Sequence, residues 1–99
     1  MKIHRFSSTD PLTTLTTRLA SGLGEVRVYA LGVTESITAE RHPRRHLLVP
    51  LRGECEVLAD QGGVLGPGVV GDIKAGELYG LTSSEGCELL LLAFEEDEA

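Results

Sequence analysis

The chain has 99 residues, 41% of them hydrophobic, and a formal net charge of −6, which suits one domain built on one core. The negative charge excludes a general binder of nucleic acid or anionic membrane, because either polyanion repels it at long range. With no Trp, two Phe and two Tyr, the core must be aliphatic, chiefly Leu and Val.

Residues 1–23 are expected to form an N-terminal strand and a short helix that pack on the rest. Asp10-Pro11 reads as an N-cap followed by proline at the first helical position; Leu12, Leu15 and Leu19 recur at helical spacing, and Gly22 closes the segment. Threonines at 13, 14, 16 and 17 oppose the helix, since β-branched side chains lose freedom there. From residue 24 to residue 99 the pattern is one of short strands. Residues 25–33 are rich in Val and Tyr, residues 36–42 alternate strictly, and 46–52 is apolar with a proline inside. Residues 54–60 alternate again and run into the Gln61-Gly62-Gly63 turn. Eight of the twelve glycines fall between 62 and 86, so strands there must be brief. Cys87 to Phe94 is almost continuously apolar, as for a strand covered on both faces. The absence of helical periodicity after residue 22 excludes a βαβ arrangement, and the strands predict a sandwich or small barrel.

Four of the nine basic residues, Arg41, Arg44, Arg45 and Arg52, lie within twelve positions, while the sequence ends in an acidic run from Glu95. The basic cluster reads as a solvated loop or as a face toward an anionic ligand. Cys55 and Cys87 lack metal or disulfide-framework spacing and read as small buried hydrophobes. The opening residues lack a signal-peptide stretch, and Leu89–Phe94 is too short to span a bilayer, so a cytoplasmic location is expected. A domain this small gains from dimerisation, and a homodimer is expected. His4, beside Arg5, reads as solvated. Glu77 reads as a surface-loop carboxylate.

The stretch that bears chemistry is Glu40-Arg41-His42-Pro43-Arg44-Arg45-His46. Glu40 and His42, two apart on a strand, share a face. Pro43 cannot donate to a ladder and favours a reversal at 43–45, after which His46 opens the paired strand near His42. Two imidazoles and a carboxylate on one face suit a divalent first-row metal. The plainer account puts Ile37 and Ala39 in the core and leaves Ser36, Thr38, Glu40 and His42 facing water. No nucleophile elbow or P-loop is present.

These residues also resemble the cupin superfamily, as a small single-domain member with altered metal-binding motifs. Counting back from Gly53, the glutamate position of the first cupin motif falls on His46 and its two histidine positions fall on Glu40 and His42. Gly71-Asp72-Ile73-Lys74-Ala75-Gly76-Glu77-Leu78-Tyr79-Gly80 resembles the second motif, with Lys74 at its proline position and Tyr79 at its histidine position. The likeness covers about residues 30 to 94 and implies an all-β fold, a double-stranded β-helix or jelly-roll barrel, with the short N-terminal helix added. It implies a small-molecule ligand in the barrel cavity, with Tyr79, Arg44 and Arg52 as ligand-binding residues. It also implies a divalent ion (Fe, Mn, Ni or Zn) on Glu40, His42 and His46. Phenolate ligation by Tyr79 would cost roughly 4 kcal/mol at pH 7, so its neutral hydroxyl is the alternative donor. Three functions follow from the likeness: a small-molecule binding module, a metal-dependent dioxygenase or isomerase, or a structural dimer with a vestigial pocket.

Overall fold

Short runs with apolar residues at alternate positions, interrupted by glycine turns, fold into two antiparallel sheets. The computed structural model describes residues 1–5 and 22–95. The strands are β1 (Lys2–Arg5), β2 (Leu23–Leu31), β3 (Ser36–Arg41), β4 (Arg45–Gly53), β5 (Cys55–Leu58), β6 (Gly63–Leu65), β7 (Val69–Ile73), β8 (Leu78–Thr82) and β9 (Cys87–Phe94). One sheet runs in the order β1-β7-β4-β9-β2 and the other β3-β8-β5-β6. The expected helix around Leu12, Leu15 and Leu19 lies outside the described residues, which hold strands and turns.

The period of two decides what each strand buries. On β9, Leu89, Leu91 and Ala93 point between the sheets and are buried, while Leu90 and Leu92 on the other face are half-buried. Leu48 of β4, Cys55 and Val57 of β5, and Tyr79 and Leu81 of β8 close on them from both sheets. This interior is aliphatic, as the composition requires, and each fully buried Leu contributes about 1.5–3 kcal/mol over an exposed one.

Gly53 makes the step from one sheet to the other. Its φ is +68°, and a Cβ there would stand 2.5 Å from the carbonyl oxygen of Gly86. A side chain at that position is opposed both by the backbone conformation and by the neighbouring chain. Only Glu54 separates β4 from β5.

A second cluster, Leu47, Val70 and Phe94, lies on the outer face of the five-stranded sheet. His4 shares that face and corrects the expectation of a solvated residue. It is 5% exposed, and its Nε2 lies 3.3 Å from Asp72 Oδ2. Arg45 donates from its other side, Nε to Asp72 Oδ1 at 2.7 Å and a terminal nitrogen to Oδ2 at 2.5 Å. Burial alone raises the Asp72 pKa, but the bonds from Arg45 and His4 outweigh it and hold the carboxyl below its usual range. The period of β1 explains the miss: Ile3 and His4 take opposite faces, and His4 falls on the outer face opposite Val70 of the buried second cluster.

Candidate functional site

The link from β3 to β4 is the first element of the site. It is not the hairpin that the proline suggested, because β3 and β4 belong to different sheets. His42, Pro43 and Arg44 carry the chain across the gap. Two bonds pin this crossing to the β7–β8 turn: the Gly76 amide donates to the His42 carbonyl at 2.8 Å, and Arg41 donates to the Gly76 carbonyl at 2.7 Å. Gly76 has φ +82°, so the glycine of the second motif is required by its backbone.

His46, on β4 opposite Ala93 and Ile73, points between the sheets. Tyr79 comes from β8 in the facing sheet, and the half-buried His42 comes from the crossing. The three rings meet. His42 and His46 have centroids 4.6 Å apart, His42 and Tyr79 5.3 Å, and His46 and Tyr79 5.8 Å in an edge-on arrangement. His46 Nδ1 and Tyr79 Oη stand 2.6 Å apart, a short hydrogen bond between two buried groups.

The electrostatics favour neutral partners. Burial, reinforced by the charge of His42 and by Arg44 and Arg27, lowers the His46 pKa to about 4 against a smaller opposing pull from Glu25. Burial pushes the Tyr79 phenol above its ordinary value of 10. At pH 7 a protonated phenol therefore faces a neutral imidazole. Both groups are neutral, so the bond is the hydroxyl donating to Nδ1 with the ring proton on Nε2, or Nδ1–H donating to the phenol oxygen, according to the tautomer.

Other sequence candidates do not join the trio. Glu40 pairs with Tyr79 in the β3–β8 ladder but is exposed, and no set of three His, Cys, Asp or Glu among the described residues converges to hold an ion. Arg44 is drawn to Glu95 at 2.9 Å, close enough to bear on His46. Arg52 is exposed, six positions along β4 from His46, about 20 Å at the rise of a strand. It lines a separate groove of about 310 Å³ with Leu31, Cys87 and Glu88. A larger groove of about 720 Å³ is lined by Arg41, Arg45, Lys74 and Leu78, outside the ring trio.

Sequence reasoning missed the inner face of β2. Tyr29 packs against the core, and Arg27 holds Glu25 at 2.9 Å on the same face. The signal was present in the alternation of 25, 27 and 29, the same period that singled out Glu40 and His42.

No protein-family model matches the chain, and no curated protein sequence matches it. Solved structures do match. A conserved protein of unknown function from Streptococcus pyogenes is 23% identical over 77% of this chain and 67% of that one, at a TM-score of 0.69. A cupin superfamily protein of Desulfitobacterium hafniense is 18% identical over 76% of this chain and 74% of that one, at 0.68. A polyketide cyclase of Streptomyces resistomycificus is 23% identical over 75% of this chain, which spans 56% of it, at 0.65. The fold is that of the cupins, a double-stranded β-helix.

Proposed function

We propose that this small cupin-like protein binds a small, largely apolar molecule bearing a carbonyl or carboxylate oxygen, recognised by the His42–His46–Tyr79 trio. The observation that carries the reading is the buried 2.6 Å bond between His46 and Tyr79. In the tautomer whose Nδ1 accepts the phenol's O–H, His46 keeps Nε2–H as a donor for an acceptor oxygen. The half-buried His42 is the accessible member of the trio. The rings stand at the end of the aliphatic core, and apolar surroundings with a few polar groups are the usual composition of small-molecule sites.

The donor set does not fit the divalent ion that the fold family suggests. Glu40 is exposed, and Tyr79 holds its proton more tightly than a free phenol. His42 and His46 supply two nitrogens without a third His, Cys, Asp or Glu among the described residues. A dioxygenase or isomerase mechanism that needs a metal therefore gains no support from these side chains. Those grounds favour a binding module over the metal-dependent enzyme.

The three histidines give the test. Their ring carbon-bound protons are followed by nuclear magnetic resonance while acetate, benzoate or cyclohexanone is added. The proposal expects saturable movement of the His42 and His46 signals with His4 unmoved, and loss of the response in Tyr79→Phe. Signals that stay fixed with all three probes would favour a vestigial pocket. Stoichiometric Fe, Mn, Ni or Zn that disappears in a His42→Ala, His46→Ala double variant would restore the metal-dependent reading.

A further inference from the structure

Four strands stand at sheet edges among the described residues: β1 and β2 in one sheet, β3 and β6 in the other. An edge strand offers unpaired backbone donors and acceptors to any second strand, and proteins blunt such edges by shortness, bulges, proline or charge. Three of the four are blunted. β1 has four residues and β6 has three. β3 is irregular between Ile37 and Glu40 and ends in Glu40-Arg41. β2 is the least blunted: it is nine residues long, contains neither proline nor lysine, and after a shift between Leu23 and Glu25 keeps an unbroken register with β9 to Leu31. Its outward side chains include Val26 and Val28, 55% and 62% exposed.

The charge pattern of this edge says what it fits. Glu25 and Arg27 lie on the inner face, 2.9 Å apart within one chain, with Val26 between them on the outer face. In an antiparallel pair of two identical strands, inner faces align only if the two-fold axis passes through a residue. An axis at Glu25 sets two carboxylates opposite each other, and one at Arg27 sets two guanidiniums opposite. An axis at Val26 sets Glu25 opposite the partner's Arg27, Arg27 opposite the partner's Glu25, and valine against valine. Opposite charges directly across a ladder stabilise the pair, and like charges oppose it.

We infer that β2 is a homodimer interface, formed by antiparallel pairing of two β2 strands about a two-fold axis at Val26. The result is a continuous ten-stranded sheet with one exposed valine patch on its outer face. Pairing at this edge extends the wall that carries Tyr29, so the ring trios of the two protomers lie on the same side of the joined sheet. The symmetry is isologous and closes at two copies.

Sedimentation equilibrium across a concentration series tests the register directly. The wild-type chain is expected to associate as a dimer. Arg27→Glu places four carboxylates around the axis, and Glu25→Arg places four guanidiniums there. Each single reversal is expected to weaken dimerisation about tenfold or more, from two pairs turned repulsive at once. The double reversal Glu25→Arg, Arg27→Glu recreates both pairs and is expected to return affinity to within about threefold of wild type. Both residues are exposed on the edge, and circular dichroism is the check that each variant keeps its fold. A wild-type monomer at every concentration would overturn the inference, as would a dimer indifferent to the single reversals or not restored by the double one.

Discussion

His46 and Tyr79 approach from facing sheets and meet at 2.6 Å between Nδ1 and Oη, a bond that ties the two walls of the barrel at one point. Backbone ladders hold each sheet together, and this side-chain bond joins the two sheets next to the backbone bond between Gly76 and His42. Removing the phenolic oxygen strands a buried imidazole nitrogen. Tyr79→Phe is expected to lose about 1–3 kcal/mol of unfolding free energy, measured by urea denaturation.

The same imidazole sets a pH dependence. Its folded pKa is about 4, below the unfolded value of 6.5, so the unfolded chain takes up the proton first as pH falls. The stabilisation is complete above pH 6.5, declines through the window down to about 4, and is flat below it. Its size is on the order of 3 kcal/mol. Urea midpoints from pH 8 to 4 check this, and a His46→Leu variant should lose the slope in that window. Asp72, whose pKa is also depressed, adds its own loss as pH falls below the ordinary carboxylate value.

Asp72 is 3% exposed and accepts both prongs of Arg45. Replacing it removes one partner of a buried pair, a change that costs about 3–5 kcal/mol in such settings. Asp72→Asn is expected to destabilise more than the double variant Asp72→Asn, Arg45→Met, with thermal unfolding as the readout. Equal losses in the two variants would show that the charge pair is not the cause.

Two glycines separate conformational strain from collision. Gly68 has φ +99° with open space around its Cβ position, whereas Gly53 combines φ +68° with a 2.5 Å approach to a carbonyl. Gly68→Ala is expected to cost about 1 kcal/mol and Gly53→Ala clearly more, by chemical denaturation.

The strands and their turns were legible because their causes are local: a period of two in the side chains, and glycines where the backbone turns left-handed, as at Gly53 and Gly76. The encounter of His42, His46 and Tyr79 was also expected from motif positions, although the chain reaches it by crossing between sheets instead of pairing β3 with β4. Pro43 marks a change of direction in either case, and sequence does not say which strand the chain joins next. Glu40 and Arg52 lie apart from the ring trio for a related reason. Sharing a face or a basic run with the histidines fixes their side but not their distance from the barrel centre. His4 was misread because a polar residue on a short terminal strand looks solvated until its buried acceptor, Asp72, is known.

With no tryptophan and just two tyrosines in the chain, its near-ultraviolet absorbance comes chiefly from Tyr29 and Tyr79. One belongs to the ring trio and the other packs against the same core. The protein thus has its own dye at the place where a ligand would settle. If the proposed ligand binds there, difference spectra and tyrosine emission would report its occupancy without any label.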